Sequence, residues 1–540
     1  MTERPEPPSS ESAGDEERRR ITGRAGIVAA GTLASRLLGL VRDQVTAAMF
    51  SRLATDAFFV AFLIPNVLRQ LLAEGGVQGA ILPVLARVRE QEGQDAARRY
   101  FAAVRRLSLG VLALVTALGI TFAPALVSAF APGYAAIPGQ SERTVALLRW
   151  VFPYIFFMGT AALGAAALAV EKRFVVASFA PALLNVSFIV LGLALPPLLV
   201  ARGHDPVHAL SAAVLVGGAL QVVAQWPSLR AVGYHALGGG GLGHPGVREA
   251  LRRMGPVLIG TGVYAIDVVI ARGILSTLGV GPQSWFGWAL RLCDFPQGVL
   301  VMAIQTATLP SLALLVARGD REEASRTLEH GVRLSLFVGL AATGLLVGLA
   351  EPLVVTLFQR GHFDAESSRE TARALVALGA GIVLVAVVRQ LVAGFYALGD
   401  TRTPVVVAAI KLPCFVAGAY LLVGPLGHVG VALAVAASQA LQAGLLAALL
   451  HRKLDVRISG LARATGHALL AVVPAVAAGR WAATAIGAAL GEGALAQAAP
   501  GLAGAAVFGI VALAVARVAG NPELAAISAP LRARLARGRR

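Results

Sequence analysis

The chain has 540 residues, of which 56% are hydrophobic and 14% charged, and its net charge is +17. A soluble chain of this length would carry far more charge, so the composition excludes an ordinary soluble protein and indicates a polytopic membrane protein. The basic residues crowd short connections between apolar runs and form no separate aromatic-rich domain, which excludes nucleic acid as a partner.

Polar segments flank the apolar part of the chain. Residues 1–24 begin with an acidic, Pro/Ser-rich stretch and turn basic at Arg18-Arg19-Arg20, which predicts a disordered cytoplasmic tail with no cleavable signal segment. Residues 520–540 predict a second, basic cytoplasmic tail.

A window of about 20 apolar residues predicts the spanning helices between these tails. It identifies about fourteen candidates, which begin near residues 25, 57, 104, 147, 177, 207, 257, 286, 331, 371, 403, 428, 463 and 498. Arginine and lysine concentrate in alternate connections, beginning with Arg87 and Arg89 after the second span. By the positive-inside rule, these connections and both termini are cytoplasmic, although Arg360 and Arg373 lie on the opposite side.

An internal repeat relates the two halves of the chain. LPVLARVREQ from Leu82 aligns without a gap with LPSLALLVAR from Leu309, a shift of 227 residues. Because six spans separate the copies, the repeat predicts an all-α fold of two parallel six-helix lobes around a central cavity, a transporter architecture. The predicted boundaries are 25–230 for the first lobe, 231–256 for a cytoplasmic linker that contains Gly238–Gly241, 257–452 for the second lobe and 453–519 for two extra helices.

Charged side chains interrupt several of these spans. A charge at the centre of a membrane helix costs roughly 2.5 to 3.5 kcal/mol, so these residues must face water, a partner or a ligand. Arginines outnumber the nearby carboxylates, and guanidinium groups suit phosphate oxygens, so the sequence predicts a cavity for an anionic, phosphorylated substrate. The candidate binding residues are Arg36, Arg42, Arg69 and Arg291, with Asp56, Asn66 and Glu74 nearby.

Each candidate also has a structural alternative. Arg36 and Asp43 share one helix stripe and could neutralise each other, while Arg42 lies near the end of its span and could reach the interface. Arg69 could pair with a carboxylate, and Arg291 with Asp294 one turn later.

Two further intramembrane charges, Asp267 and Lys411, are candidates for ion or charge coupling. Asp267 and Arg272 lie about 140° apart on their helix and are expected to face different neighbours. Lys411, in the eleventh span, is a candidate partner of Asp267.

No enzyme motif accompanies these charges. The nine histidines are scattered, and the sequence has no HExxH, Walker A or GxSxG motif. The two cysteines, Cys293 and Cys414, lie in apolar runs, which excludes a disulfide framework and a CxxC metal site. The chain is therefore predicted to be a transporter without a metal or other cofactor.

Five motifs in order give the chain a family resemblance: SRLLGLVRD at 35–43, TDAFFVAFLIPNVLRQLLAEGGVQGAILPVL at 55–85, RLCDFPQGVL from 291, LFQRGHF at 357–363 and FYALGDTRTP at 395–404. From about residue 22 to 519, the chain resembles the MurJ (MviN) family of lipid II flippases in the multidrug/oligosaccharidyl-lipid/polysaccharide exporter superfamily.

The resemblance implies an activity, a location and site residues. The substrate would be the undecaprenyl-diphosphate-linked disaccharide-pentapeptide (lipid II), moved from the cytoplasmic to the outer leaflet of the bacterial plasma (inner) membrane. Arg36, Arg42, Arg69 and Arg291 match arginines that the family requires, and the two extra helices would hold the polyprenyl tail. Membrane lipids and cell-wall synthesis proteins are the candidate partners.

The chain departs from the family at two places. The family usually has Asp immediately before the arginine of the eighth span, and this chain has Leu290 there. Any role of that carboxylate is therefore absent or taken by Asp294. Some members bind sodium through helices seven and eleven. Asp267 could supply one ligand, but Phe415 and Ala419 occupy the expected places of the others, so a sodium site is not predicted and Lys411 is the candidate tethered cation.

Three other functions fit the sequence less well. They are an ion-coupled exporter of another polyprenyl-linked glycan or of a drug, a non-transporting scaffold of a cell-wall assembly complex, and an integral glycosyltransferase. A cationic-drug exporter would favour an acidic cavity, a scaffold would not need the arginines, and a glycosyltransferase would need larger external loops.

Overall fold

The computed structural model describes the backbone of residues 10–234, 241, 243–454, 458–491 and 493–537. Helices account for all regular structure in these residues, and no described residue lies in a strand, which confirms the all-α class. Most of the predicted Gly238–Gly241 linker, and the side chain of Glu74, lie outside the described residues.

The described residues 10–234 contain nine α-helices. They are α1 (Ser10–Met49), α2 (Arg52–Arg69), α3 (Leu82–Gln91), α4 (Gln94–Thr121), α5 (Ala123–Phe130), α6 (Gln140–Val151), α7 (Tyr154–Val170), α8 (Phe174–Ala201) and α9 (His208–Ala231). A π-helical segment, Gln70–Ile81, joins α2 to α3, and a short 3₁₀ segment, Pro132–Ala136, precedes α6.

The described residues from 241 onward contain twelve α-helices. They are α10 (Pro245–Ser276), α11 (Pro282–Pro296), α12 (Met302–Ala317), α13 (Arg321–Gly348), α14 (Ala350–Phe358), α15 (Ala365–Gly379), α16 (Ile382–Ala397), α17 (Arg402–Leu426), α18 (His428–His451), α19 (Ile458–Leu490), α20 (Ala494–Val518) and α21 (Pro522–Arg537). A second π-helical segment, Gln297–Val301, joins α11 to α12.

Eleven helical segments among the described residues are long and apolar enough to cross a membrane. They match the predicted spans except those near residues 25, 257 and 286, which fall on α1, α10 and α11–α12. In the last of these, Ile304–Ala317 is apolar but shorter than a spanning helix. The multi-pass character is thus confirmed, while the count of fourteen stays a prediction.

Helices extend into both predicted tails. α1 begins at Ser10, well before residue 25, and α21 covers Pro522–Arg537. Alanine, glutamate and arginine are good helix formers, so these polar segments continue a helix without apolar periodicity. Glu523 anchors the second segment, because its buried carboxylate accepts two hydrogen bonds from Arg333 on α13.

The chain divides into two compact units. Unit 1 comprises Met1–Thr46, Ala61–Leu126 and Glu142–Gly262, and unit 2 comprises Ala47–Val60, Val127–Ser141 and Val263–Arg540. Two segments of the predicted first lobe, 47–60 and 127–141, therefore group with unit 2. The lobe boundaries stay a prediction.

The sequence repeat has a structural counterpart. The π-helical segments begin at Gln70 and Gln297, which are 227 residues apart, as in the sequence repeat. The turns after α7 and α16 also correspond, since Lys172 and Gly399 both have positive φ (59° and 75°) at the same spacing. The repeat is thus confirmed over residues beyond the aligned motif.

The last two spanning helices, α19 and α20, pack closely because of glycine. A Cβ atom on Gly479 would lie 2.8 Å from the carbonyl oxygen of Gly504, and a Cβ atom on Gly344 would lie 2.2 Å from a methyl group of Val472. Gly479 lets the backbones of α19 and α20 approach each other closely, and Gly344 leaves room on α13 for the side chain of Val472. The two extra helices are therefore built onto unit 2.

Candidate functional site: charges inside the spanning helices

Arg42, in unit 1, is held by a polar network near the C-terminal end of α1. Its Nε and Nη2 atoms donate to Asp43 Oδ1 at 2.9 and 2.8 Å, and its Nη1 atom donates to Asn185 Oδ1 at 3.0 Å. Asn185 in turn donates to the carbonyl oxygen of Ser35 at 2.8 Å, and the guanidinium lies 5.5 Å from the ring centre of Phe188. The network fixes the direction of the guanidinium, so Arg42 is not an unrestrained side chain at the interface.

Arg36 and Arg69 also belong to unit 1, and both are half-buried. Arg69 Nε donates to Asn66 Oδ1 at 3.0 Å, one turn earlier on α2, which confirms that the two share a face. The π-helical segment starts at the residue after Arg69. Such segments inside helices occur frequently at functional sites.

Asp267, which is half-buried, and Lys411 form an ion pair in unit 2, as the sequence suggested. The Lys411 ammonium donates to Asp267 Oδ2, and Lys411 is only 3% exposed. Arg272 faces elsewhere, as predicted: its Nη1 atom donates to the carbonyl oxygen of Gln283, and its guanidinium lies over Phe59 and Phe286.

Asp56 accepts hydrogen bonds from the start of α11. The sequence placed it among the substrate-binding residues, but it is fully buried in unit 2 and its carboxylate caps the start of α11. Oδ2 accepts from the backbone N–H of Gly281 at 2.5 Å, and Oδ1 accepts from the backbone N–H of Ser284 at 2.8 Å and from its hydroxyl at 2.5 Å. The first N–H groups of a helix have no partner within it, which explains the need for this acceptor. In this conformation Asp56 is a positioning residue for α11.

Arg291 and Asp294 lie on α11 of unit 2, and both are exposed. α11 ends at Pro296, and the π-helical segment that follows is the counterpart of the one after Arg69. A guanidinium here is open to an incoming anion.

Arg389, on α16, is an intramembrane arginine that the sequence analysis missed. It is half-buried, its Nη1 atom lies 3.8 Å from the Met302 sulfur, and its guanidinium interacts electrostatically with Asp294. The signal that identified Arg291, a charge inside an apolar span, is present here too, in VAVVRQLVAG.

Side-chain hydrogen bonds connect the loops after α16 and α7, which lie outside the spans, to the residues that follow α18 and α9. Asp400 accepts from Lys453 Nζ at 2.5 Å and from the Thr403 hydroxyl and backbone N–H, and these hydrogen bonds lower the pKa of its carboxyl below the ordinary value. In unit 1, Glu171 accepts from Arg89 and from the Tyr234 hydroxyl. Burial, together with the charge of Glu171, raises the pKa of Tyr234 above its ordinary value.

The described charges suit the binding of an anion better than the binding of a metal ion. No group of three or more His, Cys, Asp or Glu side chains that could hold a metal occurs in the described part of the chain. Guanidinium groups inside apolar helices instead provide fixed positive charge and forked donors.

Comparison with known proteins identifies the family. The sequence model of the family described as lipid II flippase MurJ matches residues 45–497, which is most of the chain. The chain belongs to the MurJ family. A lipid II flippase MurJ of Burkholderia cenocepacia is 37% identical over 420 residues, covering 77% of this chain and 81% of that protein. A probable lipid II flippase MurJ of Haemophilus influenzae is 34% identical over 430 residues, covering 77% and 83%.

Two solved structures have the same fold as this chain. A lipid II flippase MurJ in an inward closed conformation superposes with a TM-score of 0.73 at 18% identity, covering 91% of this chain and 98% of that one. A multidrug resistance MATE family transporter of the MOP superfamily, in an inward-facing conformation, gives a TM-score of 0.69 at 18% identity, covering 78% and 94%. The MurJ fold is therefore shared with multidrug transporters, and the fold alone does not select the substrate.

Proposed function

We propose that this protein moves lipid II from the cytoplasmic to the outer leaflet of the bacterial inner membrane by alternating access. The proposal rests on membership of the MurJ family and on one observation of this chain: arginines occupy apolar helices in both units. Lipid II carries a diphosphate, and forked guanidinium donors match phosphate oxygens. Transport of this kind needs no covalent chemistry, so the protein is a transporter and not an enzyme.

We assign the binding of the diphosphate to Arg36, Arg42, Arg69 and Arg291, and we add Arg389. The contacts of Arg42 with Asp43 and Asn185 support this role, because they hold a guanidinium in one direction before a ligand arrives. Such preorganisation lowers the entropy lost on binding. Asn66 supports Arg69 in the same way.

The orientation of the chain follows from its basic connections. Both termini lie in the cytoplasm, because arginine-rich connections such as the one at Arg87 and Arg89 favour that side. The polyprenyl tail lies against α19 and α20, and cell-wall synthesis proteins that use lipid II are the candidate protein partners.

The ion pair of Asp267 and Lys411 is the candidate element for ion or charge coupling. Lys411 provides a tethered cation to the carboxylate, and so the chain needs no sodium ion at this place. Any driving force then comes from the membrane potential, a proton gradient or the flux of substrate.

The test is the accessibility of lipid II in the outer leaflet of cells depleted of their own flippase. The cells carry the wild-type chain, Arg291→Ala or the control Arg318→Ala, at matched membrane levels. Arg318 is exposed in the loop between α12 and α13 and has no part in the proposed site. We expect rescue by the wild type and the control only.

The other outcomes assign the function elsewhere. Rescue by Arg291→Ala as well would remove that arginine from the site. Failure of the wild type itself would favour an exporter of another polyprenyl-linked glycan or of a drug, or a scaffold. The fold shared with multidrug transporters makes the exporter the second candidate, and a transport assay with such a substrate separates the two.

A further inference from the structure

A cavity of about 470 Å³ lies in unit 2, away from the charges assigned to transport. The C-terminal end of α13 and helices α14, α15, α19 and α20 line it. Its volume falls within the range of ordinary ligand pockets. Three arginines and one glutamate line it, together with apolar residues: Arg369, Arg373, Arg480, Glu351, Val355 and Val376.

The arginines of this cavity are unexpected in sequence terms. Arg369 and Arg373 lie near the start of α15, at the end of the span where the positive-inside rule predicts few basic residues. Arg480 lies inside the apolar span Gly460–Leu490. Its neighbour Trp481 is 72% exposed, as is typical of a tryptophan at the membrane interface. All three arginines are exposed, so their guanidinium groups are accessible to a ligand.

The partners within the protein cover only part of this charge. Arg373 pairs with Glu370 at 3.0 Å. In the described part of the chain, no carboxylate lies within ion-pair distance of Arg369 or Arg480. Counting Glu351 and Glu370 against the three arginines leaves about one positive charge, which matches a monoanion.

The walls of the cavity are fixed by close helix contacts. The backbone N–H of Gly501 on α20 donates to the Thr356 hydroxyl on α14 at 3.0 Å, and that hydroxyl donates to the carbonyl oxygen of Gln497 at 3.1 Å. A Cβ atom on Gly501 would lie 2.4 Å from the carbonyl oxygen of Pro352. The cavity is therefore a built feature of unit 2, with apolar walls beside a cationic rim.

We propose that this cavity binds the phosphodiester headgroup of an anionic membrane phospholipid. Arg369 and Arg480 contact the phosphate oxygens as forked donors. Val355 and Val376 pack against the first part of an acyl chain. A monoanionic phosphodiester fits the remaining charge of the lining better than a diphosphate does. We place this headgroup in the outer leaflet, which rests on the orientation given in the proposed function; the binding itself does not depend on that orientation.

The test measures the thermal stability of the purified full-length protein in detergent with added lipid. Phosphatidylglycerol is compared with zwitterionic phosphatidylcholine, for the wild type, for Arg369→Gln/Arg480→Gln and for the control Arg202→Gln/Arg318→Gln. The control removes two exposed arginines that do not line the cavity. We expect phosphatidylglycerol to raise the midpoint by about 2 °C or more over phosphatidylcholine in the wild type and the control, and not in the cavity variant.

A second variant and a second ligand make the result decisive. Arg369→Lys/Arg480→Lys keeps the charge and should keep most of the difference, which separates loss of charge from damage to the fold. An equal lipid difference in the Gln variant and the wild type would overturn the proposal. Stronger stabilisation by undecaprenyl diphosphate than by phosphatidylglycerol, lost in the same variant, would assign the cavity to the transported lipid instead. None of these readings requires transport, so they are independent of the flippase assay.

Discussion

Lys411 on α17 and Asp267 on α10 form an ion pair inside unit 2, in which Lys411 is buried and Asp267 is half-buried. Removing one partner of a buried pair leaves an uncompensated charge, which typically costs about 3–5 kcal/mol, whereas replacing both by apolar residues is often nearly neutral. We therefore expect Lys411→Met to lower the free energy of unfolding markedly and Lys411→Met/Asp267→Leu to recover most of the loss. Thermal unfolding of the purified variants measures both, and equal loss in the single and double variants would contradict the pairing.

The same pair predicts how the protein responds to sodium. If the ammonium of Lys411 occupies the place of a cation, Lys411→Ala should gain a stabilisation by sodium chloride over potassium chloride that the wild type lacks. Matched ionic strength in the two salts removes general screening. No preference for sodium in either protein would leave Lys411 as a structural partner of Asp267 and end its role as a tethered cation.

Asp56 predicts a stability effect at the start of α11. Asp56→Ala would leave the N–H groups of Gly281 and Ser284 without an acceptor in a buried place, and each orphaned group costs about 1–3 kcal/mol. Asp95→Ala is the matched control, because the carboxylate of Asp95 is 82% exposed and its loss should cost little. Comparable destabilisation of the two variants would show that the cap on α11 has no energetic weight.

Gly361, in the LFQRGHF motif, predicts a steric effect. Its φ is +58°, and a Cβ atom there would lie 2.2 Å from the carbonyl oxygen of Ala48, which accepts a hydrogen bond from His362. Gly399 also has a positive φ, of +75°, but has open space around it. Gly399→Ala should therefore cost only the conformational strain of about 1–2 kcal/mol, and Gly361→Ala clearly more. The difference between the free energies of unfolding of the two variants measures the cost of the contact with Ala48 on α1.

Asp400 predicts a pH dependence. Its hydrogen bonds lower the pKa of the carboxyl in the folded protein, so the unfolded chain binds its proton at a higher pH than the folded chain does. The stabilisation is fully present above the unfolded value, about pH 4, and is lost as the pH falls below it. The free energy of unfolding of the wild type should exceed that of Asp400→Asn by a constant amount between pH 5 and 8. That difference should shrink as the pH is lowered below about 4. A margin independent of pH would show that the charge of Asp400 contributes nothing.

The architecture was largely predictable from the sequence because lipid imposes a simple rule. Apolar runs of a fixed length must be helices, since only helices satisfy their own backbone groups in a bilayer. The repeat was also readable, and Gln70 and Gln297 show that it extends to the local distortion of the helices. The number of spans was less certain, because α11 and α12 are short pieces around Pro296 and a π-helical segment.

The contacts of the site were less predictable, for physical reasons. Asp56 caps a helix 225 positions further along the chain, and no local pattern announces such a contact. Asp43 accepts a hydrogen bond from its neighbour Arg42. Adjacent residues do not face each other on a helix, so the pattern of helix faces does not predict this contact. The long arginine side chain makes it possible. The pairing of Lys411 with Asp267 was predictable, because two lone opposite charges in apolar helices have few other partners.

Arg389 predicts a transport defect without a stability defect. Its guanidinium is half-buried beside Met302 and interacts with Asp294, so Arg389→Met keeps the length and packing of the side chain but removes its charge. A hydrogen bond to a charged group is worth about 1.5–3 kcal/mol, which corresponds to a loss of roughly tenfold to a hundredfold in affinity for the diphosphate. We expect outer-leaflet lipid II to fall accordingly, with Arg389→Lys intermediate and the control Arg326→Met, on an exposed pair with Glu322, unchanged. Full transport by Arg389→Met would remove this arginine from the site, and a lowered unfolding temperature with normal transport would make it structural.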